Sequence, residues 1–235
     1  MEGEMGLLIV ACAAFVGTHF LLSHPLRKPL VDRIGERPFL GLYSLVAIVT
    51  LAWMAHAYGR APGTAPLWPV GDGLWALASV LTLLAALLFV GSLRGNPALP
   101  DPTGRPKAVP APRGMFAITR HPMMWGFGLW AIAHILIFPQ PAQIVLAATI
   151  AVLALVGAAL QDRKKRRTQP DFWPRWQSVT SYWPFAAIAN GRAQGAAAWP
   201  GALTALAGVA LWLGATWAHR PLAGWDAGVW RWIAG

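Results

Sequence analysis

Two histidines lie at the ends of one apolar run near the middle of the chain. His121 belongs to segment 120–126, Arg-His-Pro-Met-Met-Trp-Gly, and His134 lies within the apolar stretch 130–138. Imidazole is costly in hydrocarbon and is a common metal ligand, so a histidine in a membrane helix is a candidate functional residue. His134 has no charged neighbour in this stretch, and we interpret it as a ligand or as a hydrogen-bonded packing residue. For His121 the alternative is a residue at the water interface, beside Arg120.

The composition is that of an integral membrane protein. Hydrophobic residues make up 56% of the 235 residues and charged residues only 12%, so we expect a lipid bilayer around the chain. The net charge is +10, but the basic residues lie in short loops between apolar runs, and we therefore expect no nucleic-acid partner. A single cysteine excludes an intramolecular disulfide, a cysteine zinc cluster and an iron–sulfur cluster.

Six apolar runs predict an all-α fold, a polytopic membrane helix bundle of about six transmembrane helices in a single domain over residues 1–235. Each run is compatible with the roughly 17 to 25 residues that cross a bilayer. We expect the first run to be a helix of the mature protein, because Glu2 and Glu4 occupy the place where a signal peptide is basic. The runs are 6–24, 38–57, 72–93, 116–138, 142–161 and 200–218.

Basic residues occur in every second loop, which predicts the orientation of the helices. The positive-inside rule places these loops in the cytoplasm and both termini in the periplasm of a bacterial inner membrane. The cytoplasmic loop 94–115 is rich in proline and glycine and is expected to be irregular. Segment 162–199 carries aromatic residues beside arginine, which favours an interfacial segment, with a cofactor-facing role as the alternative.

The chemically interesting groups of the apolar runs are histidine and methionine. All nine carboxylates lie in loops or at the ends of runs, so we expect no buried acid and do not expect a secondary transporter. Imidazole and thioether groups ligate haem iron, and an apolar helix bundle is a suitable haem pocket. The candidates are His19, His24, His56, His121, His134, His219, Met123 and Met124.

Short motifs along nearly the full length resemble, in combination, the NnrU family of bacterial membrane proteins. Through that family the chain also resembles the plant and cyanobacterial zeta-carotene isomerase. The motifs are Gly-Thr-His at 17–19, Leu-Arg at 26–27, Ile-Gly-Glu-Arg at 34–37, Leu-Tyr-Ser-Leu at 42–45, Arg-His-Pro at 120–122, Trp-Ala-Ile-Ala-His at 130–134, and residues 162–185.

The resemblance implies haem b with His19 and His134 as the metal ligands, and His56 and His121 as further cofactor-binding candidates. It implies a role in nitric oxide or denitrification metabolism, or a haem-dependent cis-trans isomerisation of a polyene. The partner would then be a hydrophobic small molecule or nitric oxide. Ala131 stands where the isomerase has a cysteine, which argues against ligand switching by that thiol. The chain has no Cys-x-x-Cys-His motif, so the haem would be attached without a covalent bond.

Helix depth by itself groups the histidines differently. Two axial ligands must reach one iron at one depth, and the predicted orientation places His19 in the inner half of the membrane and His134 in the outer half. A tilted helix, or a break at Pro122, would bring this pair together. The depth-matched sets are His19, His24 and His121 on the inside and His56, His134 and His219 on the outside.

Two alternative functions stay open. The Arg-His-Pro segment and the aromatic tail at 162–185 also resemble isoprenylcysteine carboxyl methyltransferases, which implies an S-adenosylmethionine-dependent enzyme. Because the Arg-His-Pro turn and this tail both leave spans on the cytoplasmic side, we predict that Arg120, His121 and the aromatic tail form one inner-face site. The chain departs from that pattern at Met124, where an aromatic residue is usual, and at 161–162, where two glutamates are expected. The other alternative is a non-catalytic regulatory membrane protein.

The predicted topology is tested by reporter fusions at Gly95 and Gly235. We expect a cytoplasmic signal at Gly95, in a basic loop, and a periplasmic signal at Gly235, because an odd number of spans separates the two sites. The same signal at both sites would show that the predicted topology is wrong.

Overall fold

The computed structural model describes residues 2–98 and 108–233, so 99–107 of the predicted irregular loop lie outside the described residues. Every regular element in these ranges is helical, which confirms the all-α prediction. A 3-10 turn occupies Gly195–Ala198. The α-helices are α1 (Glu2–Ser23), α2 (Arg27–Ile34), α3 (Glu36–Arg60), α4 (Asp72–Gly91), α5 (Met115–Ile118), α6 (Pro122–Ile137), α7 (Pro141–Thr168), α8 (Trp173–Val179), α9 (Ala186–Ala189), α10 (Ala202–Trp217), α11 (His219–Ala223) and α12 (Trp230–Ile233).

The helices have the lengths and composition of a membrane protein, as predicted. Within the described residues, five helical stretches are long and apolar enough to cross a bilayer: α1, α3, α4, α7 and the combined stretch of α10 and α11. Helix α6 is apolar but has only 16 residues. At 1.5 Å per residue it is about 24 Å long, shorter than the roughly 30 Å hydrocarbon core.

The fourth predicted span is interrupted near its start. We expected one helix over 116–138, but α5 ends at Ile118 and α6 begins only at Pro122. Thr119 is extended, with φ −153° and ψ 150°. Proline lacks an N–H group and disfavours helical backbone in the residue before it, so it suits the first position of a new helix. The interruption leaves Arg120 and His121 between two helices.

The chain divides into two compact units. The first contains residues 1–70 and 134–157, and the second contains 71–133 and 158–235. Helices α6 and α7 each contribute residues to both units. A single domain over 1–235 stays a prediction.

The core of the first unit is built from one face of α1. Four buried residues recur on α1 at the spacing of one helical face. In the same unit, the Tyr58 hydroxyl of α3 donates to Gln143 Oε1 of α7 at 2.7 Å. Ile9 and Val10, on other faces of α1, are exposed apolar residues, as expected of a surface that meets lipid. The buried set comprises Leu8, Ala11, Cys12, Phe15, Met54, Ala57 and Ala142.

In the second unit, small residues allow helices to approach α4 closely. A Cβ atom on Gly126 of α6 would lie 2.9 Å from the Ala85 carbonyl oxygen of α4. Between α10 and α4, the Trp212 indole donates to the Thr82 hydroxyl at 3.0 Å. Close backbone approach at small residues is a common way for membrane helices to associate, because lipid supplies no hydrophobic drive between them.

We therefore expect Gly126→Ala to destabilise the protein. The added methyl group would overlap the α4 backbone, which cannot move aside as a flexible side chain can, and the expected cost is about 1–3 kcal/mol. Thermal unfolding of the protein in detergent measures this. The control is Gly214→Ala on α10, where a Cβ meets nothing within 4 Å. Equal effects of the two substitutions would contradict the close approach.

Candidate functional site

The interruption between α5 and α6 is held by segment 181–185. The Arg120 backbone N–H donates to the Ser181 carbonyl at 2.8 Å, and the Thr119 hydroxyl donates to the Tyr182 carbonyl at 2.7 Å. The Phe185 N–H donates to the Ile118 carbonyl at 2.8 Å. These bonds satisfy backbone groups that a helix would otherwise pair. They also fix the backbone positions of Arg120 and His121.

The Asp162 carboxylate of α7 is the centre of a buried polar network. The Arg120 Nε atom lies 3.0 Å and 2.8 Å from its two oxygens, and Arg120 Nη2 lies 2.5 Å from Oδ2. His121 Nε2 lies 2.9 Å from Oδ1, and the Trp173 indole donates to the same oxygen at 3.1 Å. The Arg120, Asp162 and His121 side chains are 10%, 6% and 1% exposed. The carboxylate therefore has donors on both oxygens and little contact with solvent.

The charges of this network compensate each other. A buried carboxylate is stable only when it is paired and hydrogen-bonded, and the forked guanidinium of Arg120 supplies both requirements. An ionised Asp162 only accepts hydrogen bonds, so His121 Nε2 is the donor of their bond. The Tyr182 ring packs edge-on against His121 at 5.8 Å between centroids. Burial raises the Tyr182 pKa above its usual range, and the nearby Asp162 charge raises it further.

The network corrects one expectation. We expected no buried acid, but the Asp162 residue as a whole is only 4% exposed. In the aromatic tail, Trp173 and Trp176 pack inside the protein at 0% and 1% exposure, whereas Trp183 is 65% exposed. The interfacial position of segment 162–199 stays a prediction. The available sequence signal was that Asp162 directly precedes the basic run 163–167. The prediction that Arg120, His121 and the aromatic tail come together is confirmed.

His19 of α1 has the local geometry of a metal-ligating histidine. Its Nδ1 atom lies 2.6 Å from the Phe15 carbonyl, four residues earlier, and the side chain is half-buried. A carbonyl only accepts hydrogen bonds, so Nδ1 carries the proton and Nε2 presents a lone pair in neutral imidazole. A backbone carbonyl that holds the other ring nitrogen is the usual support of a metal-bound histidine. The ring centroids of Phe15 and Tyr43 lie 4.4 Å and 5.6 Å from the centroid of the imidazole.

The other three candidate histidines lie in different surroundings. His134 is half-buried on α6 and His56 is exposed on α3, and both belong to the first unit together with His19. His121 belongs to the second unit, where its Nε2 bonds to Asp162. No cluster of three or more histidine, cysteine or acidic side chains able to hold a metal exists among the described residues. A haem with two axial imidazoles requires no such cluster.

Comparison with known proteins identifies the family. The NnrU protein family matches residues 7–227, most of the chain. The chain belongs to the NnrU family. This NnrU protein is also similar to the chloroplastic 15-cis-zeta-carotene isomerase of Zea mays, with 28% identity over 169 residues. That match covers 70% of this chain and 44% of the relative, so the chain spans less than half of the relative's length. No solved structure gives a significant match.

We expect Asp162→Asn to destabilise this NnrU protein strongly. Asparagine keeps the size of the side chain but leaves the buried Arg120 guanidinium without its countercharge, at an expected cost of about 3–5 kcal/mol. Thermal unfolding in detergent measures the loss. The control is Asp226→Asn, which breaks the exposed ion pair with Arg220 and should cost less than about 1 kcal/mol.

Coupling between the two charges is tested with Arg120→Gln. Because the double variant removes both charges, it should be less destabilised than the sum of the two single variants. Additive losses would contradict a coupled pair.

Proposed function

We propose that this protein is a haem b-dependent membrane isomerase that converts a cis double bond of a hydrophobic polyene to trans. The observation that carries the proposal is the similarity to 15-cis-zeta-carotene isomerase over 70% of the chain. The geometry of His19 supports the haem. Cis-trans isomerisation leaves the atom and electron count of the substrate unchanged, so the net reaction needs no co-substrate.

In this proposal His19 and His134 would hold the haem iron. The donor chemistry of His19 fits this role, because its Nδ1 bond to Phe15 directs the Nε2 lone pair away from the α1 backbone. His134 is half-buried in an apolar stretch of α6, within the same unit as His19. When held by these residues, the haem would supply one-electron redox chemistry and exchangeable coordination at iron.

The protein residues around His19 would orient the imidazole and keep water away. Phe15 holds the ring through its carbonyl and packs against it through its side chain. Tyr43 of α3 packs edge-on against the imidazole, and its hydroxyl accepts a hydrogen bond of 3.3 Å from Ser23. These contacts leave the imidazole few rotamers, which favours coordination at a fixed orientation.

The proposal includes a location and a partner. We place the protein in the bacterial inner membrane with both termini in the periplasm, on the basis of its alternating basic loops. A polyene is soluble in hydrocarbon and would reach the protein from the bilayer. Nitric oxide is a small ligand of haem iron, and its binding at the same site would connect the protein with nitric oxide metabolism.

A second candidate is S-adenosylmethionine-dependent methyl transfer. The observation that favours it is the meeting of Arg120 and His121 with Trp173 of the aromatic tail. The Asp162 carboxylate, however, already occupies Nε and Nη2 of Arg120 and Nε2 of His121, which leaves fewer donors for a cofactor carboxylate. We therefore rank methyl transfer below the isomerase.

The absorbance spectrum of protein purified with haem supplied during expression tests the cofactor. We expect a Soret band in the wild-type protein and a shifted or lost band in His19→Ala and His134→Ala, because each substitution removes an axial imidazole. His219→Ala is the matched control. In the wild-type protein His219 Nδ1 also bonds to a carbonyl four residues earlier, that of Ala215 at 2.8 Å. The Soret band of the His219→Ala variant should stay unchanged.

The same samples separate the competing functions. Conversion of 15-cis-zeta-carotene, followed by chromatography, should occur with the wild-type protein and fail with His19→Ala. Absence of a Soret band ends the haem proposal, and protection from heating by S-adenosylmethionine would then favour methyl transfer. A Soret band without conversion of the polyene would retain haem and discard this substrate. An unchanged band in both ligand variants would retain haem but discard His19 and His134.

A further inference from the structure

A cavity of about 300 Å³ lies in the second unit, apart from the Asp162 network. Its wall includes Gly91, at the end of α4, and Gly201, directly before α10. Helices α4 and α10 pack along each other in opposite directions, with Gly208 of α10 against Leu87 of α4. The cavity therefore lies where two candidate membrane spans end together, which is the level expected for lipid headgroups.

Two glycines shape the rim of this cavity. Gly114 has φ +57° and Gly201 has φ +81°, backbone angles that other residues rarely adopt. Gly114 also donates its backbone N–H to the Ala197 carbonyl at 2.7 Å, which fastens the loop before α5 to the 3-10 turn. The rim is thus held by specific backbone geometry on two sides.

Two arginines line the cavity, and no residue that the structure describes supplies a countercharge to either of them. Arg94 follows α4, Arg113 precedes α5, and both side chains are exposed. Among the described residues, neither guanidinium forms a hydrogen bond or an ion pair. In contrast, Arg120, also of the second unit, is paired with Asp162, and Arg231 with Asp72. Two unpaired positive charges at one concave surface produce a positive potential that attracts an anion.

The other residues of the cavity wall are suited to contact the part of a ligand that adjoins its charged group. Met115 and Phe116 are buried apolar residues of the wall, and Trp199, which also lines the cavity, is 70% exposed. Tryptophan prefers the membrane interface, where one part of a ligand is apolar and another is hydrated. The cavity therefore combines cationic donors with apolar contacts at the edge of the membrane.

We propose that this cavity, with Arg94 and Arg113 as its cationic donors, binds the phosphate group of an anionic phospholipid. Guanidinium matches the oxygen geometry of phosphate and binds it with two parallel hydrogen bonds. A volume of about 300 Å³ admits a headgroup, while the acyl chains extend along the neighbouring spans. Free phosphate shares the same chemistry, so the test separates the two sources.

The experiment titrates lipid into the detergent-solubilised full-length protein and follows the thermal midpoint. Short-chain phosphatidylglycerol, phosphatidylcholine and inorganic phosphate are the three probes. The test variant is Arg94→Gln with Arg113→Gln, and the control is Arg166→Gln with Arg167→Gln. The control removes the same charge from exposed arginines of the same unit outside the cavity. Should the double cavity variant not fold, the two single variants carry the test.

We expect phosphatidylglycerol to bind the wild-type protein, and the cavity variant to lose about tenfold or more in affinity through two lost charge-assisted hydrogen bonds. The control variant should stay within about threefold of wild type, since screened surface charges contribute little. Binding of phosphatidylglycerol at lower concentration than inorganic phosphate assigns the site to a lipid, and the reverse order assigns it to free phosphate. Unchanged affinity in the cavity variant, or equal losses in both variants, would overturn the proposal.

Discussion

A buried carboxylate must keep its charge partners and its hydrogen bonds, and much of the second unit is arranged around this requirement. Asp162 sits on a membrane-spanning helix, where an uncompensated charge would cost several kcal/mol. Its three partners come from two places in the chain: Arg120 and His121 before α6, and Trp173 at the start of α8. The pairing therefore joins α7 to two other segments at one point.

The interruption of the fourth apolar run makes this pairing possible. In a continuous helix, Arg120 and His121 would point about 100° apart around the axis and would not both face one carboxylate. Extended backbone at Thr119 turns both side chains toward Asp162, and segment 181–185 supplies the hydrogen bonds that the helix gives up. Pro122 favours both the polar network and the late start of α6, because it disfavours helical backbone at His121 and suits the first position of a helix.

The proposed haem ligand depends on a much simpler arrangement. His19 is oriented by the carbonyl of Phe15 within its own helix, so its geometry needs only that α1 be helical. The cavity between the ends of α4 and α10 needs more of the tertiary structure than His19 does, because its arginines are near each other only after these helices pack. The three features therefore make different demands on the fold, and a loss of one does not require the loss of the others.

Local physical chemistry explains what the amino-acid sequence determined by itself. Five of the six apolar runs became helices, because hydropathy, proline and glycine act over short distances. Their ends lie within about four residues of the predicted ones, except that α7 continues past the predicted end to Thr168. The bond of His19 to Phe15 is equally local, since it spans four residues. The sequence also pointed to Arg120 and His121 as members of one site with the aromatic tail. The burial of Asp162 was not predicted because its partner Arg120 is 42 residues away, and no local sequence pattern indicates a contact over such a distance. Only the tertiary structure buried this acid, together with Trp173 and Trp176, because the energy that stabilises a buried charge comes from groups the chain brings together only when it folds.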